Sequence, residues 1–211
     1  MSRDLTLEQI LRAAPVMPVI ALERLEQALP MAEALLEGGI TTLEITLRTP
    51  VALEAIRRIT RVYPEALVGA GTVTTPGALH LAAEAGACFA VSPGLTWALG
   101  EAAHVAAIPL LPGVMTPTDA MTAMDAGFRY LKLFPAEQAG GIPMLRALAG
   151  PFKDLMFCPT GGITPATAPD YLAQPNVICV GGSWLTPKAL LDASDWKGIM
   201  ELARQAAQLA H

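Results

Sequence analysis

Polar and apolar positions along the chain alternate between two kinds of stretch. Short runs of apolar, β-branched and glycine-bounded residues occur at 16–22, 41–47, 67–73, 89–93, 108–112, 130–134, 155–159 and 177–181. Their starts are spaced 19 to 26 residues apart, about the length of one strand-plus-helix unit. Between them a helical period runs through residues 25–37, 51–62, 77–85, 118–126 and 196–210. Gly38-Gly39, Gly86 and Gly127 stand where helix C-caps belong. Eight strands alternating with helices predict the α/β class and a single (β/α)8 TIM barrel. A leading helix over residues 5–13 is an extra element, expected to plug the bottom of the barrel. Glycine and proline are scattered, with no low-complexity linker, so residues 1–211 read as one domain.

Composition fits strands buried on both faces. Apolar residues make up 53% of the 211, and the mean hydropathy is +0.44. No apolar run approaches the roughly 18 residues needed to span a membrane, and residues 1–12 carry two acids and lack a signal-peptide pattern. A net charge of −5 argues against nucleic acid as a partner, so an anionic substrate needs local positive charge. Cys88, Cys158 and Cys179 all lie in apolar runs and read as reduced thiols of a cytoplasmic protein. His80, His104 and His211 show no metal-ligand spacing, no serine–histidine pair is suggested, and no dinucleotide-binding glycine motif follows a strand. Met115, Met121 and Met124 read as packing around the fifth strand and its helix.

Against this background Lys132 stands out. It is one of only four lysines, and it lies inside the strand-like Tyr130-Leu131-Lys132-Leu133-Phe134-Pro135, whereas Lys153, Lys188 and Lys197 fall in polar or loop-like stretches. Removing an ammonium from water favours the neutral amine, which attacks carbonyl carbon to give an imine. The alternative is a lysine at a strand end reaching up to water. On the second strand, alternation turns Leu43, Ile45 and Leu47 toward the helices, and Thr42, Glu44, Thr46 and Arg48 inward. Tyr130, Lys132 and Phe134 face inward by the same rule. Glu44 is then either a functional carboxylate or one half of an ion pair with Arg48 or Lys132. An amine with a carboxylate is the minimum set for imine-based carbon–carbon bond chemistry, and Arg48 is suited to clamp a carboxylate. At the last two strand exits, Thr160-Gly161-Gly162 and Gly181-Gly182-Ser183 read as a phosphate-binding pair of loops or as tight turns. Thr72, in Gly69-Ala70-Gly71-Thr72-Val73, is a further donor to a bound oxygen.

These motifs, in order along nearly the whole chain, resemble the bacterial 2-keto-3-deoxy-6-phosphogluconate aldolases, the class I enzymes also called KHG/KDPG aldolases. The likeness runs through Leu43-Glu44-Ile45-Thr46-Leu47-Arg48-Thr49, Val91-Ser92-Pro93-Gly94-Leu95, Leu111-Pro112-Gly113, Lys132-Leu133-Phe134-Pro135-Ala136-Glu137 and Phe157-Cys158-Pro159-Thr160-Gly161-Gly162, with Gly181-Gly182-Ser183-Trp184 closing it. The resemblance implies an imine between pyruvate and Lys132, with Glu44 as general acid/base. It also implies that Arg48, Thr72 and Thr160 hold the pyruvate carboxylate or orient the aldehyde portion. Pro93 and Phe134 belong to the implied substrate site, and Gly161, Gly162, Gly181, Gly182 and Ser183 to a phosphate pocket. Cleavage of the phosphorylated keto acid to pyruvate and glyceraldehyde 3-phosphate needs no metal or organic cofactor, since the covalent imine is the electron sink. The resemblance also implies 4-hydroxy-2-oxoglutarate as a second substrate. The implied setting is a cytoplasmic homotrimer of the Entner–Doudoroff pathway. Met115 departs from the small residue more usual there and bears on substrate breadth. The competing reading is a phosphosugar-binding barrel, isomerase or non-catalytic, with Lys132 and Glu44 as a structural ion pair.

Overall fold

Every other residue of each apolar run faces the helices, and this alternation builds the fold. The computed structural model describes residues 5–209; residues 1–4, and Ala210 and His211 at the far end, lie outside the described residues. The strands are β1 (Val16–Ile20), β2 (Thr42–Thr46), β3 (Leu67–Gly71), β4 (Phe89–Val91), β5 (Leu110–Leu111), β6 (Gly113–Val114), β7 (Tyr130–Leu133), β8 (Met156–Phe157) and β9 (Val180–Gly182). All pair in parallel. Their ladder hydrogen bonds form a six-stranded sheet, β5-β4-β3-β2-β1-β9, and a three-stranded sheet, β6-β7-β8, in place of the single eight-stranded ladder expected. Pro112, which has no N–H to donate, divides the fifth expected strand between the two sheets. Its carbonyl still accepts from Lys132 N at 2.8 Å. On the other side the bridges Phe157–Val177 and Thr160–Gly181 connect the β8 segment to the β9 segment.

The helices are α1 (Leu7–Leu11), α2 (Ala28–Glu37), α3 (Ala52–Val62), α4 (Pro76–Glu84), α5 (Trp97–Val105), α6 (Pro117–Asp125), α7 (Gly141–Ala149), α8 (Ala168–Leu172), α9 (Lys188–Ala193) and α10 (Trp196–Ala207). A 3-10 turn, Leu25–Gln27, leads into α2. Threonine side chains cap four of these helices. Thr6, Thr75, Thr96 and Thr116 accept from the amides of Gln9, Ala78, Leu99 and Asp119, and Pro76 and Pro117 follow two of them at the first helical position. α5, α7, α8 and α9 are absent from the periodicity reading. α5 and α7 are mostly small and apolar residues with little polar contrast, and α8 and α9 are single short turns.

The strands separate two apolar clusters. Val16, Leu43, Ile45, Val68, Ala90, Leu131, Leu133 and Phe157 pack outward against the helices. Met17, Leu67, Phe89, Val91, Leu111, Cys158 and Cys179 form an interior cluster with Ile10 and Leu11 of α1. α1 therefore sits against the interior, as expected, and Thr42 Oγ1 donates to Ile10 O at 3.2 Å to anchor it at the N-terminal end of β2. Gly69 has no side chain because the Phe89 ring fills the space a Cβ would take. Glu44 and Lys132 share the parity of the inward residues, so the fold places two ionisable groups on top of an apolar plug.

Phe89 is fully buried in that plug. Phe89→Ala is expected to lower stability by about 3–5 kcal/mol, the usual cost of a large interior cavity. Urea unfolding measures it; a loss below about 1 kcal/mol would show that the interior collapses around the gap.

Candidate active site

Glu44 of β2 and Lys132 of β7 meet across the interior. Their residues are 1% and 4% exposed, and Lys132 Nζ lies 3.3 Å from Glu44 Oε1. Among the described residues, no group donates to the buried Glu44 Oε2. The Lys132 ammonium also lies over the Phe134 ring, 5.3 Å from its centroid. Glycine makes room for the carboxylate: a Cβ at Gly71, at the end of β3, would overlap Glu44 Oε1. Below the pair, Cys158 and Cys179 are buried thiols. The Cys179 thiol is pushed well up by its hydrogen bond to Cys158 and by burial, with the Glu44 carboxylate adding to the effect. These cysteines are interior filling, not nucleophiles.

The rim is built from residues just past the strand ends. Arg48 is exposed, and its Nε donates to Thr72 Oγ1 at 3.1 Å. Thr72 holds this position at φ +58, a left-handed conformation that costs a non-glycine residue about 1–3 kcal/mol and is concentrated at functional sites. Thr160 is buried, and its Oγ1 donates to Cys158 O at 3.3 Å. The two glycine pairs prove different in kind. Gly161 and Gly162 form a turn at φ +105 and +82. Gly181 and Gly182 are not a turn: they lie in β9, paired with Met17 and Pro18. Side chains there would collide with Thr160 and Trp184, so close packing excludes them. Gly181-Gly182-Ser183 is therefore a strand end that leads to an exposed serine.

Two clefts open at the rim. The first, of about 400 Å³, lies on the β1–β2–β9 side and is lined by Thr46, Arg48, Ser183, Lys188, Glu23 and Asp192, among others. The second, of about 350 Å³, lies on the β6–β7 side and brings together Pro93, Phe134, Met115, Thr74 and Asp119. The structure thus joins Arg48 with Ser183, and Pro93 with Phe134, with the buried Glu44 and Lys132 beneath the strand ends from which both clefts rise. Lys188 and Glu23 were missed from sequence. Lys188 looked like a surface lysine, and the only available signal was its place five residues after Ser183. Its Nζ lies 3.0 Å from Asp192 Oδ2 on its own helix. Among the described residues, no group of three or more His, Cys, Asp and Glu is arranged to hold a metal ion, and no helix is long and apolar enough to cross a membrane.

A buried amine touching a carboxylate, under a polar rim at the ends of parallel strands, is the equipment of an α/β lyase that works through an imine. Comparison with known proteins gives the family. Residues 7–202 match the family model described as KDPG and KHG aldolase. The KHG/KDPG aldolase of Escherichia coli (strain K12) is 53% identical over 201 residues, covering 95% of this chain and 94% of the relative. A KDPG aldolase structure from Legionella pneumophila, with pyruvate captured as a covalent carbinolamine intermediate, superposes with a TM-score of 0.96 at 46% identity, covering 98% of this chain and 100% of that one. The 2-keto-3-deoxy-6-phosphogluconate aldolase of Zymomonas mobilis ZM4 with 3-phosphoglycerate gives 0.93 at 47%, covering 100% and 98%. The chain belongs to the KDPG and KHG aldolase family.

The gap at Gly71 gives a direct test of the site's packing. Gly71→Ala forces a methyl group onto the Glu44 carboxylate and is expected to cost about 1–3 kcal/mol in urea unfolding. An unchanged midpoint would mean that Glu44 moves freely and is not held where the structure puts it.

Proposed function

We propose that the chain is a class I aldolase. It cleaves 2-keto-3-deoxy-6-phosphogluconate to pyruvate and glyceraldehyde 3-phosphate, and 4-hydroxy-2-oxoglutarate to pyruvate and glyoxylate. The observation that carries this is the buried contact of Lys132 Nζ with Glu44 Oε1 at 3.3 Å, with the second carboxylate oxygen unengaged by any of the described residues. The names of the relatives and the pyruvate carbinolamine of the Legionella enzyme support it.

In the proposed mechanism Lys132 gives up a proton to Glu44, and its amine attacks the C2 carbonyl to form a carbinolamine. Loss of water leaves a protonated imine. Glu44, directly or through water, takes the C4 hydroxyl proton; the C3–C4 bond breaks, and its electron pair enters the imine to give an enamine and the free aldehyde. Protonation of the enamine at C3 and hydrolysis release pyruvate. The imine nitrogen is the electron sink, so the reaction needs no metal or organic cofactor. Arg48 and Thr72, joined at the rim, and Thr160 hold the keto-acid carboxylate or orient the aldehyde portion. Pro93 and Phe134 line the substrate site. The Gly161-Gly162 turn, with Gly181, Gly182 and Ser183, takes the phosphate, a role supported by Ser183 and Arg48 sharing one cleft.

The proposal extends to architecture and setting. The two sheets act as arcs of one (β/α)8 barrel, a single domain over residues 1–211, supported by the continuity through Pro112 and the two bridges on the far side. A cytoplasmic homotrimer in the Entner–Doudoroff pathway is consistent with the buried thiols of Cys158 and Cys179. It also fits the exposed apolar Trp97, Val105 and Met121, which suit a subunit interface. The same 3.3 Å contact favours one other reading, a phosphosugar-binding barrel in which Lys132 and Glu44 are only an ion pair.

Two variants separate these readings. Lys132→Ala is expected to abolish cleavage in a protein that keeps its far-ultraviolet circular dichroism; retained turnover would exclude the imine role. Glu44→Gln is expected to slow exchange of the pyruvate methyl protons by about 10²–10⁴-fold, the usual contribution of a positioned acid/base. Wild-type exchange in that variant would exclude Glu44 as the proton carrier.

A further inference from the structure

Tyr171 and Glu137 form a part-buried contact that takes no part in the chemistry above. Tyr171, on α8, is 1% exposed, and its hydroxyl donates to Glu137 Oε1. Burial, then the hydrogen bond to Glu137, holds the phenol well above its ordinary range, so it remains a donor at neutral pH. Glu137 lies five residues after Lys132, at the exit of β7. Its side chain crosses directly over Gly162, where a Cβ would collide with Glu137 Cβ and Cγ. Across the same gap, Ala136 N donates to Thr160 O at 2.8 Å and Glu137 N to Gly161 O at 3.1 Å. A Cβ at Gly141 would come within 2.9 Å of the Tyr171 hydroxyl, so the chain also closes around the contact from the α7 side.

The glycine turn needs such a lock. Gly161 and Gly162, at φ +105 and +82, have the backbone freedom that makes this turn possible, and the same freedom leaves other conformations open to it. A turn that binds an anion through its amides is effective only when those amides are already aimed. Glu137 is exposed, and a solvated glutamate samples several rotamers. Tyr171, held rigid in the core, fixes it in the one that covers Gly162.

We propose that Tyr171, acting through Glu137, is a positioning residue that holds the Gly161-Gly162 turn in its anion-binding shape and so favours phosphorylated over unphosphorylated keto acids. This rests on the assignment of the phosphate to Gly161, Gly162 and Ser183. The hydroxyl touches no reacting atom, so its loss leaves imine formation and enamine protonation intact.

Michaelis constants for 2-keto-3-deoxy-6-phosphogluconate and for its dephosphorylated analogue, together with pyruvate methyl-proton exchange, test this in Tyr171→Phe, Glu137→Ala, Glu137→Gln, the Tyr171→Phe/Glu137→Ala double variant and Ser183→Asp. Tyr171→Phe is expected to raise KM for the phosphorylated substrate about five- to tenfold, the size of one ordinary net hydrogen bond. Its kcat, its proton exchange and its KM for the analogue should stay within about twofold. Glu137→Ala should match it, and the double variant should add little, since both changes remove the same contact. Glu137→Gln should stay near wild type, because the amide oxygen still accepts from Tyr171. Ser183→Asp separates the proposal from the assignment beneath it. If Ser183→Asp discriminates against the phosphorylated substrate while Tyr171→Phe affects both substrates equally or neither, the positioning role is overturned and the phosphate site stands. If neither variant discriminates, both are overturned.

Discussion

Lys132 and Glu44 are ionisable side chains placed on an apolar plug, and most of the surrounding structure can be traced to keeping them there. Taking either group out of water alone costs several kcal/mol, and pairing offsets this only with close geometry. The chain supplies that geometry through parallel strands that put residues 44 and 132 on the inward face. Gly71 supplies the space for the carboxylate, and the Phe134 ring lies beneath the ammonium. Replacing both residues by hydrophobic ones of similar volume would satisfy the interior as well or better. Among the described residues, no group donates to the second carboxylate oxygen, which suits the role we propose for Glu44, a base that collects and returns protons.

Around this pair the proposed roles separate binding from chemistry. The groups proposed to react lie within the strands, where the backbone ladder fixes them, and the groups proposed to meet substrate lie just beyond the strand ends. Arg48 reaches Thr72, whose left-handed backbone is the kind of local strain that a surrounding fold must over-determine. The proposed phosphate side has the opposite property, the freedom of Gly161 and Gly162, and there we propose that a buried tyrosine reaching their covering glutamate holds the turn.

Much of this was legible in the sequence because period-2 alternation is a strong signal in strands buried on both faces. It gave Thr42, Glu44 and Thr46 as inward but also Arg48, which lies exposed and reaches Thr72. It put Glu44 and Lys132 on one side, with Arg48 or Lys132 as the partner of Glu44, and the structure gives Lys132. It also set α1 against the interior, where Thr42 anchors it. The helices opened by Thr75 and Thr116 carry threonine followed by proline and were found within a residue or two; α5 and α7, with little polar contrast, were not. Pro112 divides a strand by lacking one N–H, an effect that hydropathy does not register. Gly181-Gly182 read as a second turn like Gly161-Gly162, because two adjacent glycines look alike whether they bend the chain or make way for the Thr160 and Trp184 side chains. Lys188 joined the rim only through folding, and the Tyr171–Glu137 contact spans 34 residues that no local pattern connects.

The most direct test of the central pair is chemical capture. The protein is incubated with pyruvate and borohydride, and the intact chain and its peptides are weighed by mass spectrometry. One reduced pyruvate on the peptide that contains Lys132 is expected, with no adduct on the peptides of Lys153, Lys188 or Lys197. A folded protein that captures no pyruvate, or captures it only on another lysine, would contradict the assignment of Lys132 and leave its contact with Glu44 as an ion pair.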